Sequence, residues 1–162
     1  MASDIFLKLD GIKGESLDKA HLGEIECLSL SWGMALEGST GGAGGSSRTS
    51  VHDISITKIT DSASPQLMKS SLNGNTIPSG IIAIRKAGQQ SLEYFKMTLT
   101  NVLVSSLQMS GNHSGTPTET VTLNFAKVVI AISPMLATGG LGTAQLVTLT
   151  NSEFGQFTAP PP

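Results

Sequence analysis

The chain is poor in charge: Lys, Arg, Asp and Glu together make 14% of its 162 residues. Ten basic against twelve acidic residues give a formal net charge of -2. No basic run exists, which argues against nucleic acid or an anionic membrane as partner. Aromatic residues make only 4%; Phe6, Trp32, Tyr94, Phe95, Phe125, Phe154 and Phe157 are too scattered for a base-stacking platform. Cys27 is alone, so no disulfide can close within the chain and folding needs no oxidising compartment. No apolar run approaches the roughly 18 residues that span a bilayer, so membrane insertion is not expected. Asp4 stands where a signal peptide would carry positive charge, and the apolar run after it is short, so no conventional signal peptide is expected and synthesis is expected in the cytoplasm.

Hydrophobic residues reach 39%, and Ser, Thr and Gly replace the missing charge. That mixture is too apolar for disorder. Residues 1–162 are expected to form one domain, with 133–162 as a C-terminal strand and tail. So little charge is unusual for a soluble monomer, and burying surface against copies of itself is one way to tolerate the deficit.

Alternation of period two dominates. Ile5, Leu7 and Leu9 alternate with Phe6, Lys8 and Asp10. Residues 12–23 read as a loop. A strand is expected over about 24–37, with Leu28, Leu30, Trp32, Met34 and Leu36 on one face and small Ser29, Ser31, Gly33 and Ala35 on the other. The glycine-rich stretch 38–47 joins it to a second strand over about 49–60 as an enlarged hairpin tip. One helix is expected: Ser64 as its cap, Pro65 at the first helical position, Gly74 past its end, and Leu67, Met68 and Leu72 as an apolar stripe. It is too short to stand alone and must cap something. Strands resume around Ile82 and Ile84, around Phe95 to Leu103, and around Val121 to Val129, with a polar loop at 108–117 and a weak last strand over about 143–150. The fold class is mainly β: an antiparallel β-barrel of two packed sheets with one short α-helix. The outward faces read as Ser29, Ser31, Ala35, Thr98, Thr100, Val102, Val104, Thr120, Thr122, Val128 and Ile130, an uncharged set that invites pairing with another chain.

Chemistry is sparse. His21, His52 and His113 lack metal-ligand spacing and read as solvated loop or strand-end residues. Cys27 sits between Glu26 and Leu28, where carboxylates raise its pKa rather than activate it. The 38–47 stretch has no Gly-Lys-Ser/Thr ending and no following helix, so it is not a phosphate loop. Glu24 and Glu26 share a strand face without a cleft, and Asp61 and Ser64 are explained by a turn and a helix cap. No catalytic residue, metal site or cofactor is expected.

Six motifs fall in one order: residues 5–16 ending in Lys-Gly-Glu-Ser, the Ser-Trp-Gly strand of 25–33, Asp61-Ser62-Ala63-Ser64-Pro65-Gln66-Leu67, the Arg-Lys-Ala-Gly turn of 84–88, Val-Leu-Val-Ser-Ser at 102–106 and Thr-Glu-Thr-Val-Thr-Leu-Asn-Phe at 118–125. In this order over residues 4–132 the chain resembles the Hcp (haemolysin co-regulated protein) family, the tube protein of bacterial type VI secretion. Its tail departs, offering Ala144-Gln145-Leu146-Val147 where the family often has an aromatic.

The resemblance implies a β-barrel protomer, a homohexameric ring with a wide channel, and stacked rings forming a tube. It implies spike and sheath proteins of the secretion machine as partners, release from the cell without a signal peptide, and small effector proteins held in the lumen. Gly38, Gly41, Gly42, Gly44 and Gly45 are candidates for a ring-stacking loop. Ser110, Asn112, His113 and Ser114 are candidates for lining or rimming the channel. Trp32, Asp61, Ser64 and Pro65 are structural motif residues. The competing readings are a free-standing β-barrel binding module, for example for carbohydrate, which would need exposed aromatics in a groove, and a small hydrolase, which would need a clustered acid-base set.

Overall fold

The computed structural model describes residues 3–37, 48–86 and 92–150. The strands are β1 (Ser3–Leu9), β2 (Ile25–Cys27), β3 (Ser29–Ser31), β4 (Met34–Glu37), β5 (Arg48–Val51), β6 (Ile54–Ile59), β7 (Thr76–Lys86), β8 (Leu92–Ser110), β9 (Thr118–Ile132) and β10 (Gln145–Thr150). Helix α1 (Ser64–Asn73) lies between β6 and β7. The expected antiparallel barrel with one short helix is what the chain forms.

The main sheet runs β2-β1-β7-β8-β9-β6-β3. Its two ends are neighbours in the chain, because only Leu28 separates β2 from β3. Residues 25–31 therefore act as one bent strand: the first half pairs with β1 (Ile5 opposite Cys27), the second with β6 (Leu30 opposite Ile56). Leu28 N donates to Thr57 O at 2.7 Å across the seam. This closes the barrel. Strand β9 shares one edge between two partners, β6 along 118–123 and β10 along 127–132. Strands β4 and β5 form a separate two-stranded hairpin.

The expected single strand over 24–37 is thus three strands. Its supposed inward face does not stay inside: Leu28, Met34 and Leu36 are exposed, while Leu30 and Trp32 pack against the core. A strand that must serve β1, then β6, then a separate hairpin has to bend, and each bend changes the face its side chains meet.

The same cause corrects four outward assignments. Val102, Val104, Val128 and Ile130 are buried. Strand β8 points Met97 and Leu99 inward, then Val102 and Val104. Between the two sets Asn101 adopts a left-handed φ of 53°. Beyond them the register with β9 shifts between Val104 and Ser106. A strand of 19 residues can wrap a small barrel only by turning such corners.

The core holds Leu7, Leu9, Ile25, Ile54, Ile56, Ile82, Met97, Leu99, Val121 and Leu123, with Leu67 of α1 sealing one end. The helix ends at Gly74, whose φ of 64° is the left-handed conformation a glycine adopts without strain. Pro65 stands within the first turn as expected. Ser64 is not the cap, however. It is the first helical residue, Ala63 occupies the cap position, and no side chain caps the helix. Leu72 projects into solvent instead of completing the stripe.

Candidate functional site

Why Ser64 abandons the cap is visible in its contacts. Its hydroxyl accepts from Asp61 N at 3.0 Å and from Lys58 Nζ at 3.2 Å, and donates to Glu119 Oε1 at 2.7 Å. Lys58 Nζ also pairs with Asp61 Oδ1 at 2.8 Å and Glu119 Oε1 at 2.7 Å. Lys58 and Glu119 are sealed from solvent. Asp61 Oδ1 accepts from Ala63 N at 3.0 Å, so Asp61 forms a turn as expected and joins the charged group besides. This network ties β6, β9 and the start of α1. Neither Lys58 nor Glu119 was singled out by the sequence reading, because a lysine and a glutamate in an alternating strand read as its wet face.

A second cluster fixes the loop between β1 and β2. His21 stacks on Phe6 with ring centroids 4.2 Å apart and planes 8° from parallel. Its Nδ1 contacts Glu24 Oε2, and its Nε2 lies 2.6 Å from Glu93 Oε1. His21 is therefore a buried residue, not a solvated one: a loop that folds back on Phe6 supplies an aromatic floor and two carboxylates. Arg85 sits 4.9 Å above the Phe6 ring, donates to Asp4 Oδ2 at 3.1 Å, and grips both oxygens of Asp18. The Arg85 hydrogen bonds hold the Asp18 carboxyl down at about 2, and Asp18 in turn raises Arg85. Glu24 precedes β2 and serves this clasp rather than a strand face shared with Glu26.

Cys27 packs against the core and donates weakly to Ile25 O at 3.6 Å. Burial pushes its thiol up to about 12; Asp61 and Glu26 add to the rise and Lys58 opposes it. It is inert, and burial rather than the flanking carboxylate is the main reason.

Trp32 is half-buried, donates from Nε1 to His52 O at 2.9 Å and leans on Phe125, ring centroids 6.3 Å apart. It pins the corner between β3 and β4. Ser110 ends β8, and Asn112, His113 and Ser114 form an exposed turn in which Asn112 Oδ1 accepts from Ser114 N at 3.0 Å. The structure brings these four together at the β8–β9 tip, next to the Lys58–Glu119 pair, since Ser110 lies opposite Thr118 and Met109 opposite Glu119. Gly38, Gly41, Gly42, Gly44 and Gly45 lie outside the described residues. Among the described residues, no group of three or more His, Cys, Asp or Glu is arranged to hold a metal ion. No described helix is long and apolar enough to cross a membrane.

What the surface does offer is apolar. Leu17, Leu22, Leu28, Leu36, Leu72 and Leu146 all stand largely in solvent. A groove of about 320 Å³ runs between β1, the loop at Glu15 and Ser16, the bend at Leu28, and Ile59 to Asp61. Single exposed leucines are ordinary, and these six stand on a small, weakly charged barrel.

The antiparallel barrel with one short helix is the fold of solved type VI secretion proteins, which superpose on it over most of its length. A family model described as "Type VI secretion system effector, Hcp" matches residues 6–131, and the chain belongs to the Hcp family. It is 44% identical over 143 residues to protein hcp1 of Pseudomonas aeruginosa, covering 86% of this chain and 88% of that protein. The crystal structure of Hcp1 from Salmonella typhimurium superposes with a TM-score of 0.78 at 38% identity, over 94% of this chain and 97% of that one. A type VI secretion system effector from Yersinia pestis does so with a TM-score of 0.74 at 29% identity, over 91% and 99%.

Proposed function

We propose that this chain is the tube subunit of a type VI secretion machine. Copies of it close into homohexameric rings, and the rings stack. The observation that carries this reading is the apolar exterior: Leu36, Leu72 and Leu146 have no place in the core, and a second copy removes them from water. A ring requires a head-to-tail contact that closes. The subunit acts by shape and association, without catalysis of its own. It meets the spike and sheath proteins of the machine, leaves the cell through it, and carries small effector proteins in the channel. Residues 1–162 work as one unit.

The turn bearing Ser110, Asn112, His113 and Ser114 is polar and exposed, which suits a channel rim that must release its cargo. Residues 38–47, which lie outside the described residues, are proposed to take part in stacking one ring on the next. Native mass spectrometry at micromolar concentration tests the central claim. A species near six times the 16.8 kDa chain mass supports it, and a lone chain at every concentration overturns it. Deleting residues 38–47 is expected to leave rings intact and abolish tubes; tubes formed as before would remove that loop from the account.

A further inference from the structure

The loop between β1 and β2 is held more firmly than its sequence requires. Gly14 N donates to Gly23 O at 2.8 Å, Ser16 N to Glu24 O at 3.0 Å and Gly23 N to Ser16 O at 2.8 Å. Arg85 grips Asp18, and His21 is clasped by Glu24 and Glu93 over Phe6. The part so fixed projects Leu17 at 86% exposure and Leu22 at 72%. Rigid presentation of an apolar side chain removes in advance the ordering cost of binding.

Beside this loop lies the groove. Its lining includes Ile5, Phe6, Leu28 and Ile59, of which Leu28 is 55% and Ile59 44% exposed. Glu15 and Ser16 also line it, and Leu17 follows them directly. A knob and a hole therefore adjoin on one surface. The charges around them are of both signs: Lys13 and Lys19 on the loop, Glu15 and Glu26 at the groove, all exposed, and none in an ion pair among the described residues. Asp4 and Asp61 at the groove are already engaged by Arg85 and Lys58.

A surface that carries both its own knob and its own hole, and both signs of charge, is complementary to itself. We infer that two copies of this chain meet here by a two-fold contact, Leu17 of each entering the Ile5–Leu28–Ile59 groove of the other, with Lys13 and Lys19 facing Glu15 and Glu26. Such a contact is reciprocal and closes at two. It cannot propagate around a ring, so it joins chains of different rings or pairs free chains. The inference rests on the reading that the protein associates with copies of itself.

The test uses the full chain with Cys27→Ser, so that introduced thiols are the only ones. Leu17→Cys and Leu28→Cys variants are mixed and oxidised. Cross-linked pairs in the mixture, at least tenfold above either variant alone, are expected. Leu17→Asp is expected to abolish paired species in native mass spectra while leaving any ring mass in place. A chain carrying both cysteines is expected to stop at linked dimers.

A ladder of longer linked species would overturn the two-fold geometry. Absence of mixed cross-links, with the unsubstituted chain still forming rings, would overturn this contact alone. If the unsubstituted chain neither forms rings nor cross-links in the mixture, both this contact and the proposed function fall.

Discussion

Lys58 Nζ and Glu119 Oε1 stand 2.7 Å apart with both side chains fully sealed inside the barrel wall. Removing one partner strands a charge in a medium that solvates it poorly, a loss of about 3–5 kcal/mol. Lys58→Met is expected to lower stability by about that amount, and Lys58→Met with Glu119→Leu to recover most of it. Urea unfolding of the three proteins measures this; equal losses in single and double variants would show that the pair does not act as a unit.

The Arg85–Asp18 clasp makes the β1–β2 loop sensitive to acid. Asp18 is held at about 2 against an ordinary 3.8. A carboxyl depressed in the folded state contributes stability that is present above its unfolded value and lost as pH falls through the folded one. The loop is expected to stay closed at neutral pH and to loosen between about pH 4 and about 2. Hydrogen exchange at Ala20, whose amide donates to Asp18 at 2.9 Å, reads the transition. Arg85→Gln is expected to move it to higher pH.

Cys27 should resist labelling. With its thiol near 12 through burial, the reactive thiolate at pH 8 is on the order of a ten-thousandth of the total. An aromatic disulfide reagent is expected to react orders of magnitude more slowly with the native chain than with the chain in strong denaturant. Fast native labelling would mean that the wall at Cys27 opens.

Gly14 is where the loop meets the backbone of its own return. A Cβ added there would lie 2.4 Å from Glu24 O, too close for any side chain. Gly14→Ala is expected to destabilise the chain by about 1–3 kcal/mol and to shift the His21 ring resonances, because the backbone at Glu24 must move. Unchanged ring resonances would show that the loop absorbs the methyl elsewhere.

The barrel, the helix at Ser64–Asn73 and the last strand at Gln145–Thr150 were legible in the sequence, because period-two alternation and a Pro-to-Gly helix frame are local signals. What misled was the assumption that alternation keeps one phase. Asn101 breaks it in β8, and Val102 and Val104 change sides with it. The bend at Leu28 does the same to the Trp32 strand. Phase is set by how the barrel closes, which no window of sequence contains. Lys58, Glu119 and His21 were hidden for a related reason: their burial depends on partners 61, 55 or 72 positions away in the pairs Lys58–Glu119, Ser64–Glu119 and His21–Glu93. The Leu17 surface was missed because a leucine in a loop carries no signal until the loop is seen to be fixed.

The bent strand of residues 25–31 has a mechanical consequence. One half is stitched to β1 and the other to β6, so a force along the barrel axis cannot peel a single ladder at its rim. Two ladders, held on opposite sides of Leu28, must shear together, so this wall resists a push that would unzip an open sheet.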